Sequence, residues 1–230
     1  MIGIVVILVV SWSLLRYISS ENLKALGPFP ISKRFLQLGA GVLFAIVLNS
    51  LIIFTEAAIR NASWELQSVS WLEISKALFY HVKSVLTEDL LFRGALLYLL
   101  MTKLKPWIGM LVSAIAFGIY HWFSYGILDS SMIVLIYVFF TTGFMGWVWA
   151  DAYRRTKSMA LGFGLHIGWN ITTAAFLIAQ PYGELLLIAS EGNTFSESTE
   201  TLMVIVKGLL PPVLMLLYIR KYHKKTETTQ

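Results

Sequence analysis

The sequence predicts an all-α, polytopic membrane helical bundle of about seven transmembrane helices, and three observations predict it. Hydrophobic residues make up 57% of the chain and charged residues 13%, whereas a soluble domain needs about 25% charged residues to cover its surface. The apolar residues are grouped in blocks, several near the roughly 20 residues with which a helix crosses about 30 Å of hydrocarbon. Those blocks also lack the ~10-residue alternation of barrel strands. In a bilayer the backbone must satisfy its own polar groups, so helices remain.

Taken in order, the spans are expected at 1–18, 36–55, 76–102, 107–127, 132–150, 158–180 and 202–219. The first is short, and Arg16 at its end is expected to snorkel to the interface. It lacks the basic flank and small-residue cleavage site of a signal peptide, so it reads as a retained helix. Pro28 and Pro30 break the first connection, Pro106 separates the third and fourth helices, and Pro211-Pro212 predict a kink in the last. No repeat or composition shift divides the chain, which reads as one integral membrane domain over 1–230 with a motif-bearing core at about 76–180.

The connections carry the charge. Arg16, Lys24, Lys33, Arg34, Lys103, Lys105, Arg154, Arg155, Lys157, Arg220, Lys221, Lys224 and Lys225 fall at one end of the bundle. Glu56, Glu65, Glu73, Asp129, Glu184, Glu191, Glu197 and Glu200 fall at the other, with Arg60 as their one clear base. Positive residues stay inside, so the expected location is the cell (plasma or inner) membrane with a cytoplasmic carboxyl terminus. The net charge of +5 is thus spent on topology; the bilayer is the expected partner and nucleic acid is not. The chain contains no cysteine, which excludes disulfides, thiolate nucleophiles and thiolate metal sites.

Against this background, ionisable residues inside apolar helices are functional candidates, because a charge at the bilayer centre costs at least about 2.5–3.5 kcal/mol. Three clusters qualify: Thr87-Glu88-Asp89 with Arg93, Phe117 with His121, and His166 with Asn170. Asp89 and Arg93 are four apart and share a helix face, which predicts an ion pair. Glu88 points about 100° away and has no such partner in its own helix. His166 and Asn170 again share a face, and Phe117 stands one turn before His121, placed to brace it. A desolvated carboxylate is a competent base near neutral pH, and His or Asn donors suit the oxyanion of amide hydrolysis. The same residue types serve proton-coupled transport, which stays open at this point. His81, two turns from Glu88 on nearly the same face, reads as an interfacial histidine, and Lys76, Lys83 and Lys207 as snorkelling cations.

In this order, on successive helices, the clusters resemble the CPBP (Abi-like) family of intramembrane endopeptidases. That family includes the type II CAAX prenyl endopeptidases and the bacteriocin-processing and bacteriocin-immunity proteins. Its Glu-Glu-x-x-x-Arg motif is matched by Glu88, Asp89 and Arg93, its Phe-x-x-x-His by Phe117 and His121, and its His-x-x-x-Asn by His166 and Asn170. The resemblance implies a cavity within the membrane, Glu88 as general base for a water, His121 assisting, and His166 and Asn170 as the oxyanion site. Asp89, Arg93 and Phe117 would support them. Asp89 departs from the family glutamate by one methylene. The implied substrate is a membrane-anchored peptide or protein. The implied mechanism uses no cofactor, although Glu88, His121 and His166 are an alternative zinc set of three ligands. The rival readings are a non-catalytic immunity or scaffold protein of the same fold and a proton-coupled transporter. By these spans His121 lies nearer the outer end of its helix than Glu88, His166 and Asn170 do, so convergence requires the fourth helix to be shifted, tilted or irregular.

Overall fold

In the computed structural model, which describes residues 2–178 and 181–222, eight α-helices follow one another: α1 Ile2–Ser19, α2 Ile31–Ile59, α3 Trp71–Arg93, α4 Ala95–Lys103, α5 Pro106–Ser124, α6 Met132–Thr156, α7 Ala160–Phe176 and α8 Glu197–Tyr222. Their boundaries have local causes. A capping box starts α3: the Ser70 hydroxyl accepts from the Glu73 N–H, and the Glu73 carboxylate accepts from the Ser70 N–H. Pro106 occupies the first turn of α5, where its missing N–H costs nothing. Lys157 closes α6 in the left-handed conformation. Lys224 and Lys225, expected at the basic end, lie outside the described residues.

The predicted third span is not one helix. It begins earlier, at Trp71, and breaks at Gly94 into α3 and α4. At Gly94 a Cβ would stand 2.2 Å from the Leu90 carbonyl oxygen, so the break needs the residue without one. Counting α3 and α4 as one broken rod restores the seven expected. Five helices are long and apolar enough to cross a membrane by themselves: α1, α2, α5, α6 and α8. The other two rods are the ones that carry Glu88 and His166, and their polarity and, for α7, a length of 17 residues keep them below that standard. α8 runs through Pro211-Pro212 as a single helix, both prolines being buried.

Two short strands were not expected. β1 Trp64–Leu66 and β2 Leu187–Ala189 pair antiparallel, Glu65 opposite Ile188. They join the α2–α3 and α7–α8 connections at the acidic end of the molecule. At three residues each they carry no readable period, so only the packing of the two connections reveals them.

The helices are arranged inside out. Val5, Val9, Leu36, Leu43, Ile133 and Phe140 stand exposed, while Asn49, Asp89, Arg93, Ser113, His166 and Thr172 are buried. Exposed apolar faces around a polar interior suit lipid, and the protein is a multi-pass membrane bundle. α7 lies at its centre, packed on α2, α3 and α6. Its contact with α2 is close because Gly41, Gly164 and Gly168 present no side chains: a Cβ on Gly164 would meet the Leu38 carbonyl oxygen at 2.3 Å. Asn49 of α2 fastens the same seam, donating to the Trp169 carbonyl at 3.1 Å and to the Thr173 hydroxyl at 3.0 Å.

Candidate active site

The middle of α3 supplies two adjacent carboxylates with different surroundings. Asp89 is 2% exposed and its Oδ1 takes two partners. Arg93 Nη1, one turn on, approaches to 3.3 Å, and His166 Nδ1 of α7 to 3.1 Å. The ion pair expected from the spacing is present, and the contact across to α7 adds a second role for Asp89. The aspartate in place of glutamate therefore reaches both neighbours.

Arg93 is held from its faces as well as its end. Its guanidinium lies 3.7 Å from the Phe117 ring centroid and 4.8 Å from that of Trp149. Such stacking stabilises a cation where water is absent. Gly146 of α6 makes room for it, since a Cβ there would meet Arg93 Nη2 and Phe117 at 3.0 Å.

Glu88 faces a different space. It is 8% exposed and accepts a hydrogen bond from the Ser84 hydroxyl at 3.1 Å. Its other oxygen lies 3.7 Å from His166 Nε2. Glu88 pairs with no opposite charge in its own helix, as the spacing predicts, but a hydroxyl one turn back binds it. Lys83, read from the sequence as a snorkelling cation, is exposed.

The histidines are oriented by what they touch. His121 Nδ1 is 2.8 Å from the Phe117 carbonyl oxygen. A carbonyl only accepts, so Nδ1 carries the proton and Nε2 keeps the free lone pair. The Phe117 ring packs against the imidazole at 4.3 Å, as the one-turn spacing predicted. His166 gives Nδ1–H to Asp89 and stacks on Trp149, with ring centroids 3.8 Å apart and planes 18° apart. Trp149 belongs to α6, which carries no motif.

All four predicted catalytic residues, Glu88, His121, His166 and Asn170, line one cavity of about 650 Å³. The depth mismatch expected from the spans is absorbed by its shape. The cavity runs along the bundle, from Trp149 and Phe117 at its floor to Ser124 and Tyr125 at the end of α5. His81 is buried and lines the cavity rather than the interface, because its face of α3 turns inward with Glu88. Lys207 does not snorkel outward: it also lines the cavity and donates to Glu56 at 2.8 Å, which supplies its counter-charge.

As for zinc, among the described residues no three His, Asp or Glu side chains form a set that could hold a metal ion. Glu88 and His166 are drawn together, whereas His121 is bound to its own helix backbone.

No curated protein and no solved structure matches the chain. A family model does: residues 70–172 match that of the type II CAAX prenyl endopeptidases, Rce1-like. The matched stretch runs from the cap of α3 to two residues beyond Asn170 and contains all three motifs. Over this region, a little under half of the chain, the protein is similar to the CPBP/CAAX protease family.

Proposed function

We propose that the protein is an intramembrane endopeptidase, hydrolysing a peptide bond in a membrane-anchored peptide or protein with Glu88 as general base. One observation carries the reading: a buried carboxylate, two oriented imidazoles and an amide share one membrane-embedded cavity in a chain similar to this family. Glu88 takes a proton from a water as its oxygen attacks the scissile carbonyl. His121 Nε2, its lone pair free, accepts the water's other hydrogen and fixes its direction. The oxyanion forms beside Asn170, whose amide donates to it, and His166. Glu88 then passes the proton it took to the departing amine, which leaves with one hydrogen gained as the acid product gains hydroxide. His166, its Nδ1 held by Asp89, stands beside this transfer with Nε2 3.7 Å from Glu88.

The test is cleavage of a lipidated fluorogenic peptide library by purified protein in nanodiscs, wild type against Glu88→Gln. Loss of a general base is expected to lower kcat by about 10²–10⁴-fold, with KM nearly unchanged. Equal cleavage by both proteins would remove Glu88 from the chemistry. Binding without cleavage by wild type would favour a scaffold of the same fold.

A further inference from the structure

The chain threads back and forth between two ends of the bundle that differ sharply in charge. α1, α4, α6 and α8 finish at one end and α2, α5 and α7 start there. This end carries Lys24, Lys33, Arg34, Lys103, Lys105, Arg154, Arg155, Lys157, Arg220 and Lys221. The other end carries the acidic connections, with Glu65, Asp129 and Glu191 among them.

The cavity is displaced toward the acidic end. On α5 its lining begins at Phe117 and continues through Ser124 to Tyr125, past the last turn. On α7 it begins at His166 and continues to Ile178, again beyond the helix. Exposure rises the same way: Phe117 and Trp149 at the floor are 1% and 3% exposed, and Tyr125 and Ile178 at the top are 57% and 81% exposed. Below the floor the bundle is closed. Leu97, Met110, Ala150 and Tyr153 form a buried cluster, the Tyr153 hydroxyl donates to the Ala25 carbonyl at 2.6 Å, and Arg34 donates to the Thr156 carbonyl at 3.1 Å.

Joining these two observations, we infer that the Glu88 cavity opens to the extracytoplasmic side of the membrane. Lys and Arg are retained in the cytoplasm, so the sealed basic end faces inward and the open acidic end faces out. Resting on the endopeptidase reading, the substrates are then peptide segments presented from outside: exported peptides and the outer-leaflet ends of membrane proteins. A substrate confined to the cytoplasmic surface would meet the sealed end.

The chain has no cysteine, so single thiols report accessibility without background. In right-side-out membrane vesicles, a membrane-impermeant maleimide is expected to label Tyr125→Cys and Thr141→Cys fully. Lys105→Cys, at the start of α5, should label only after permeabilisation. Thr141 lines the cavity and its hydroxyl bonds only within α6, so the exchange is conservative; Thr142→Cys, also lining it, serves as a second probe. The inference is overturned if Lys105→Cys labels in sealed vesicles, or if both cavity thiols label only after permeabilisation. In a parallel arm, a lipopeptide supplied outside should be cut in right-side-out vesicles and not in inverted ones; the reverse would overturn the substrate assignment. Cleavage in neither would remove the endopeptidase reading, while the labelling still decides where the cavity opens.

Discussion

Asp89 shows how much one side chain holds together at this site. One carboxylate oxygen, Oδ1, joins Arg93 on its own helix to His166 on another, and all three side chains are buried. Asp89→Asn keeps the volume and removes the charge, leaving a guanidinium that is 2% exposed without an anion. Breaking a buried pair in this way costs about 3–5 kcal/mol, so a clear fall in Tm in detergent is expected. An unchanged Tm would mean that Phe117 and Trp149 hold the cation by stacking alone. Asp89→Glu should keep the pair and the Tm while shifting His166, and so affect kcat first. The hydroxyl of Ser84 offers a finer probe, since it donates to Glu88 from the cavity wall. Ser84→Ala removes one hydrogen bond of about 1 kcal/mol, for a roughly fivefold loss in kcat at constant KM. A change confined to KM would instead place Ser84 against the substrate.

Helix against helix, the decisive contact is the glycine seam between α2 and α7. It lets α7 sit deep enough for His166 to reach Asp89, because apolar bulk gives no such closeness in lipid and small residues do. Gly164→Leu would place a branched side chain where a Cβ alone would stand 2.3 Å from the Leu38 carbonyl oxygen. Such overpacking costs about 1–3 kcal/mol, and activity should fall further than stability as His166 is displaced. Gly39→Ala is the matching control: its Cβ meets nothing within 4 Å, and both Tm and activity should stay as in wild type. Equal effects of the two substitutions would show that the seam does not set the site.

Across the whole molecule, charge fastens the elements at the acidic end, where the cavity opens, while a buried cluster seals the basic one. Arg60, just past α2, binds Glu200 of α8 at 2.6 and 2.8 Å and Glu56 at 3.1 Å, and it donates to the Asn193 carbonyl at 3.3 Å. Lys207 joins the same group through Glu56. Glu200 first, then Glu56, hold the Arg60 guanidinium above its ordinary range. The network ties the start of α8 and the connection before it to the end of α2. Arg60→Met should therefore lower the Tm and speed proteolysis between Glu191 and Ser196, an effect that rising salt partly reproduces in wild type. Proteolysis at the wild-type rate would mean that the β1–β2 pairing alone secures this end.

The sequence by itself determined the all-α membrane class, the alternation of basic and acidic connections, the Asp89–Arg93 pair and four of the residues that line the cavity. Each depends on neighbours a few positions apart or on block composition, which one chain displays directly. The seven rods were legible for the same reason, though not the break at Gly94, which a hydropathy block smooths over. Only the tertiary structure decided that Asp89 also grips His166, 77 residues away, that Trp149 stacks on that imidazole, and that His81 and Lys207 turn into the cavity. Helix faces in lipid are nearly uniform in hydropathy, so the apolar pattern does not encode which helix neighbours which. Close contacts of glycine and backbone, and the buried polar groups that must find partners, make that choice.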